Sequence, residues 1–291
     1  MLKFVSKQYG LPDRWNFRPP AGIRLVDIRT IEELDQHAAG WNELYSQAGR
    51  LTPMLSYPWM RAFFRNQVAA PERWLCLFAY ENDRLIGIMP LMSSYAVRVL
   101  GFSLRLFKLP YHYAHTSGTD CLTLPGREEV ISLFIDYLNR IPRSIPCLSL
   151  KHIPDHYPSV RYLNTGKHRL CFVQKSAGTE AYIPLPKTAE EYSAGLAGKL
   201  RQNLRRAARE LEKLPDVQFR FRETTRSAKE NNARFLDVEQ RNWKSERGTT
   251  IRDFPGSAAV FEEAAEGFAA QNRMMFCFLE SGDRSIAAHY S

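Results

Sequence analysis

Two periods run through the chain. Residues 74–80 and 85–91 are almost unbroken apolar runs separated by the polar triplet Glu81-Asn82-Asp83. Runs of that length around a polar turn predict a β-hairpin. Shorter apolar stretches at 98–100, 121–124 and 147–150 predict further strands, with a long aromatic loop over 102–119. Helical period marks 31–45, 57–66 and 128–140. In the last of these, positions 130, 131, 133, 134, 137, 138 and 141 are apolar and Pro142 ends the helix. Residues 1–24 read as an irregular lead-in. Residues 176–187, with Gly178, Pro184 and Pro186, read as a linker.

Thr188-Ala-Glu-Glu191 opens the second half with the capping-box spacing of a helix start. Leu196, Leu200, Leu204, Ala207, Leu211 and Leu214 then step by three and four, forming one apolar stripe at helical period. At about 100° per residue, Arg201, Arg205 and Arg209 fall on the other side of that helix. Residues 217–222 predict a strand, 228–243 and 258–270 helices, and 274–279 a strand that turns at Ser281-Gly282-Asp283 into another from Ile286.

This closing hairpin repeats the first at an offset of 200, with Arg73/Arg273, Phe78/Phe278, Asp83/Asp283, Arg84/Arg284 and Ile86/Ile286 identical. The repeat predicts two copies of one α/β fold, over 25–175 and 188–291. The first copy runs on past its hairpin from 93 to about 176; the second reaches Ser291 within its own. Its last strand is expected to be an unpaired apolar edge, which folded proteins avoid, so the second copy is expected to be incomplete.

The chain has 291 residues, 44% of them hydrophobic and 24% charged. That is enough to bury a core without a disulfide or metal staple, and it excludes a disordered or collagen-like polymer. The longest apolar stretch, 85–92, is far short of the ~20 residues of a membrane span, and the N-terminus lacks a signal peptide's apolar segment. Cys76, Cys121, Cys147, Cys171 and Cys277 are odd in number and widely spaced in apolar runs. They read as reduced core cysteines of a cytoplasmic protein.

The net charge of +9 favours an anionic partner: nucleic acid, a phosphate-bearing cofactor or an anionic surface. Residues 199–222 alone hold eight cations against three acids. Arginine suits this role because its guanidinium fork pairs bidentately with phosphate or carboxylate. Lys199, Arg201, Arg205, Arg206 and Arg209 are therefore candidate anion-binding residues, and the alternative is a solvated helix face. No helix-turn-helix or aromatic stacking platform surrounds them, which speaks against nucleic acid.

The segment Gly198-Lys-Leu-Arg-Gln-Asn-Leu-Arg-Arg-Ala-Ala-Arg-Glu-Leu211 has Tyr182-Ile-Pro-Leu-Pro before it and Arg241-Asn-Trp-Lys-Ser-Glu-Arg-Gly248 after it. Together they resemble the bacterial acetyltransferases linked to cellulose and exopolysaccharide biosynthesis. Those belong to the GNAT superfamily and are allied to the Fem-type peptidyltransferases. Arg84-Leu-Ile-Gly-Ile-Met-Pro-Leu91, Asp120-Cys-Leu-Thr-Leu-Pro-Gly-Arg-Glu-Glu-Val130 and Leu150-Lys-His-Ile-Pro154 are similar to that family's first half.

The resemblance implies tandem GNAT-like domains of mixed, mainly antiparallel sheets flanked by helices. It also implies transfer of an acyl group from acetyl-CoA or another acyl-CoA to the nitrogen or oxygen of a small-molecule or polysaccharide-precursor acceptor. In that family the pyrophosphate lies at a glycine-rich strand-to-helix turn, where helix N–H groups favour an anion. That turn is expected after the strand at Ile286, in the part of the second domain the sequence does not contain. The rival readings are a non-catalytic scaffold module docking an acidic partner through its basic helix, and non-specific nucleic-acid binding.

By their place in that resemblance, Arg241 and Trp243 are candidate walls of an acceptor site. N-acylation requires a base to take the acceptor's proton, and Glu239 and Asp237, about one turn before Trp243, are the candidates. Tyr111-His-Tyr-Ala-His115 with Asp120, and His152 with Asp155 and His156, offer imidazoles beside carboxylates. They lack the helical i, i+4 spacing of a metal site, so no metal is assigned.

Overall fold

Leu75, Leu77 and Ala79 face one core, and Cys76 and Phe78 face another, on the two sides of a single strand. This explains the apolar run without alternation: successive side chains point to opposite faces, and here both faces are covered. The computed structural model describes residues 3–5, 21–49, 52–68, 72–99, 102–112, 118–141, 144–166, 172–176, 178–179, 183–222 and 226–291.

In chain order the elements are β1 (Lys3–Val5), β2 (Ile23–Ile28), α1 (Ile31–Gln36), α2 (Ala38–Gln47), α3 (Tyr57–Asn66), β3 (Arg73–Glu81), β4 (Arg84–Val99), β5 (Phe102–Lys108) and β6 (Leu122–Thr123). There follow α4 (Val130–Leu138), β7 (Ser144–Ser149), α5 (Pro158–Asn164), β8 (Phe172–Gln174), α6 (Ala189–Gly195), α7 (Gly198–Leu211) and β9 (Val217–Arg220). The chain closes with α8 (Ala228–Gln240), α9 (Trp243–Glu246), α10 (Ser257–Ala270), β10 (Phe276–Ser281) and β11 (Arg284–Tyr290). By contacts it divides into two compact units. One comprises Met1–Ser176 and Ile251–Phe268, the other Ala177–Thr250 and Ala269–Ser291.

The first unit is a mixed sheet in the order β2-β3-β4-β5-β7, with β6 also on β4; β5 and β7 run parallel and the other pairs antiparallel. Trp41, Leu44, Phe63 and Phe64 from α2 and α3 bury one face against Phe78 and Ile88. Val130, Phe134 and Leu138 of α4 bury the other against Leu77, Met89 and Phe107. β1 and β8 form a separate antiparallel pair. Most of α10 belongs to this unit. Phe261 meets Trp59 edge-on at 5.5 Å, Glu263 accepts a hydrogen bond from Asn66 at 2.7 Å, and Arg61 bridges Glu263 and Asp35.

The second unit holds the antiparallel sheet β11-β10-β9. α8 covers one face. Phe235 meets Tyr290 at 5.4 Å, and the Arg234 guanidinium lies 4.0 Å from the centre of the Phe278 ring. Phe219 and Phe221 are exposed. Among the described residues β11 is an edge strand paired with β10 alone.

The two hairpins share more than residues. Phe78↔Ile88, Ala79↔Gly87, Tyr80↔Leu85 and Glu81↔Arg84 in the first correspond to Phe278↔Ala288, Leu279↔Ala287, Glu280↔Ser285 and Ser281↔Arg284 in the second. Both shift register at the same step, so the β-bulge falls opposite the same bond 200 residues apart. In each unit the hairpin is preceded by helices and, before them, by a strand that pairs antiparallel with the hairpin's first strand.

Several boundaries differ from the sequence reading. The helix expected over 31–45 breaks at His37 into α1 and α2. β4 continues through 98–99, and β5 occupies the start of the expected aromatic loop. The lead-in is not wholly irregular, since β1 and the start of β2 fall within it. α5 and β8 carry no period strong enough to announce them, at seven and three residues. The helix expected over 228–243 stops at Gln240 and restarts as α9. Cys76, Cys121 and Cys277 are buried and free, whereas Cys147 is exposed. His115, Cys171, Tyr182 and parts of the linker lie outside the described residues.

Candidate functional site

The candidate base and acceptor-wall residues lie on α8 and α9. Ser227 caps α8 as a full capping box: its hydroxyl accepts from Glu230 N–H at 3.2 Å, and the Glu230 carboxylate accepts from Ser227 N–H at 2.8 Å. The box expected at Thr188 is half formed. Thr188 caps Glu191 N–H, but the Glu191 carboxylate accepts from Lys187 N–H.

Further along α8, Arg234 and Arg220 both donate to the Glu280 carboxylate, and Arg234 also donates to Ser285 Oγ at 3.0 Å. Burial pushes the Glu280 carboxyl up, but the hydrogen bonds and charges of Arg220 and Arg234 outweigh it and hold it below the usual carboxylate range. This cluster fixes α8 to β10 and β11.

Glu239 and Asp237 part company in the structure. Asp237 is exposed. Glu239 is 7% exposed, and its Oε1 lies 3.4 Å from Lys244 Nζ. A buried carboxylate can take a proton from an acceptor and hand it on. Arg241 is committed elsewhere: Nε donates to Asp237 O at 2.9 Å and Nη2 to Ser285 O at 3.1 Å, closing the C-terminal end of α8 onto β11. Trp243 is 61% exposed, with the Arg247 guanidinium 5.1 Å from its ring centre. Trp243 is therefore an open aromatic face, not a core residue.

Sequence reasoning missed Asn232. It is fully buried, and both its amide oxygen and nitrogen lack hydrogen-bond partners among the described residues. Asn232, Leu236 and Glu239 step by four and three, so they share one face of α8. A polar Asn on a helical apolar step was the available signal. Buried amides are normally satisfied, so this pair of atoms is an exception on the same face of α8 as Glu239.

The basic stripe sits on α7, none of whose residues is buried. Lys199, Arg201, Arg205 and Arg206 have no side-chain partner among the described residues, and Arg209 donates only to Arg205 O. α7 is thus a set of unpaired cations.

The histidine sets are described in part. Asp120 is buried and accepts from Ser159 N–H at 3.1 Å and from the Ser159 hydroxyl at the start of α5. His152 stacks on Tyr111 and His112 meets Phe254 edge-on. Among the described residues no cluster of three His, Cys, Asp or Glu side chains is placed to hold a metal. The first unit has a cavity of about 580 Å³ lined by Thr52, Thr123, His156, Tyr157 and Arg161 among others, and Arg161 donates to Glu128 at 2.6 Å. No helix among the described residues is long and apolar enough to cross a membrane.

Residues 198–291, from the start of α7 through β11, match the family model of the acetyltransferase (GNAT) domain. Among curated proteins none matches the chain.

Proposed function

We propose that the chain is an acyl-CoA-dependent acyltransferase that acetylates an amine or hydroxyl of a polysaccharide or cell-envelope precursor, built from two GNAT-like domains in tandem. The observation that carries the reading is the match of 198–291 to an acetyltransferase domain. The common register and bulge of the two hairpins support the tandem arrangement. The precursor rests on the family resemblance, a weaker warrant than a site.

In this reading the acceptor nitrogen or oxygen attacks the thioester carbonyl, the new C–N or C–O bond forms, the C–S bond breaks, and the thiolate leaves. The acceptor's proton goes to the Glu239 carboxylate, which burial shields from water; Asp237 has no such shelter. The open face of Trp243 stacks against the acceptor. Coenzyme A supplies the activated acyl group. The cations Lys199, Arg201, Arg205 and Arg206 on α7, unpaired among the described residues, suit an anionic group.

The test is acetyl-CoA-dependent transfer with thermal denaturation alongside. Acetyl-CoA at about a hundred times its Kd should add about 2.7 kcal/mol of stability. Glu239→Gln should lower kcat by roughly 10²-fold or more while Asp237→Asn leaves it near wild type. No thermal shift at millimolar acetyl-CoA, with no transfer, would leave the scaffold reading. The unpaired, uncovered cations of α7 favour that alternative, in which the helix docks an acidic partner.

A further inference from the structure

A helix in a folded protein ordinarily hides its apolar stripe. α7 does not. Leu200 and Leu204 are 46% and 53% exposed, and Leu214, which continues the stripe just past the helix end, is 43% exposed. Lys213 is neutralised by Glu210 at 2.8 Å, while Lys199, Arg201, Arg205, Arg206 and Arg209 have no ion pair among the described residues.

Their order round the helix is regular. With the stripe centred between Leu200 and Leu204, Arg201 lies about 80° to one side and Lys199 about 120° to the other. Arg205 and Arg206 come next, and Arg209 lies opposite. Fourteen residues make a rod about 21 Å long.

Leucines along one side and cations from the flanks round the back match the boundary of an anionic lipid leaflet. The leucines enter the acyl layer, and the long cationic side chains reach back to the phosphates. Nucleic acid would engage the cations and leave the leucines in water, and an acidic protein would take both only with an apolar groove of its own. A lipid surface takes both, and from this we infer that α7 docks the chain reversibly, in the plane of the interface, on membranes rich in anionic phospholipid. The inference takes from the preceding reading only that α7 meets anions, and it names them as lipid phosphates.

The full chain is mixed with vesicles of phosphatidylcholine alone, or of phosphatidylcholine with phosphatidylglycerol, and pelleted. It pellets with the anionic vesicles, and binding weakens but persists as salt rises, because buried leucine is not screened. Leu200→Ser with Leu204→Ser lowers vesicle affinity by roughly a hundredfold. Arg201→Gln with Arg205→Gln lowers it by about thirtyfold. Both pairs keep the wild-type melting curve, since Leu200, Leu204 and Arg205 are exposed and Arg201 is only partly covered. Independently of those variants, Leu204→Trp shifts its emission to the blue only with anionic vesicles.

Three results overturn the inference: no pelleting with anionic vesicles, binding indifferent to the leucine changes, or stripe-dependent self-association without vesicle binding. The second points to nucleic acid or an acidic protein, the third to another copy of this chain. Vesicle binding without acetyl-CoA-dependent transfer refutes the acyltransferase reading alone; transfer without vesicle binding refutes this one alone.

Discussion

Glu280 sits between two guanidinium groups, with its side chain 11% exposed. Removing one partner from a buried ion cluster leaves the remaining charges poorly compensated. Arg234→Ala also strips the cation from the Phe278 face and a donor from Ser285, and is expected to destabilise the second unit by about 2–4 kcal/mol in denaturant unfolding. Because the folded-state pKa of Glu280 is depressed, its contribution is fully present above the unfolded glutamate value and is lost as pH falls through the folded one. Stability measured from neutral pH down through the carboxylate range should therefore fall less steeply in Glu280→Gln than in the wild type; equal slopes would refute the assignment. Little of this residue-scale detail was legible beforehand. Glu280 and Arg234 are 46 residues apart, and nothing in their spacing announces that they meet. The preference for Glu239 over Asp237 likewise needed burial, which a helix of mixed charge and weak amphipathicity does not encode.

At the scale of elements, capping and close approach decide where helices begin. Gly256 precedes α10 with φ +78°, and a Cβ there would come within 2.1 Å of Asn66 O in the backbone at the end of α3. Both the left-handed conformation and the contact exclude a side chain, so Gly256→Ala should cost roughly 2–4 kcal/mol by calorimetry. An unchanged melting temperature would mean that the α10 entry is not built this way. The strong periods were readable: α3, α4, α7 and the two hairpins follow from apolar spacing alone. The single helix expected over 31–45 was not, because the break at His37 is a local turn, its N–H donating to Leu34 O, inside an otherwise continuous pattern. The helical period of α7 was readable, yet periodicity is silent on whether a stripe is covered, and Leu200 and Leu204 are exposed.

For the whole molecule, the chain path is discontinuous. Residues Ile251–Phe268 belong with Met1–Ser176, although Ala177–Thr250 lies between them in sequence. A fragment ending at Ser176 would lose Phe261 from Trp59, Glu263 from Arg61 and Asn66, and the Pro255 carbonyl from Gln67. It should unfold at a lower temperature and less cooperatively than the same unit in the full chain; equal melting would make the long-range segment dispensable. By itself the sequence determined the period of each strong element, the turn chemistry of both hairpins, their repeat at an offset of 200 and the amphipathic, cationic character of 198–214. These are local properties, written in the spacing of neighbouring residues. Tertiary structure alone decided which helix completes the first unit, which carboxylate is buried, which cations remain unpaired and which leucines stay uncovered. Each depends on segments tens to hundreds of residues apart meeting or failing to meet, and burial is a property of that encounter.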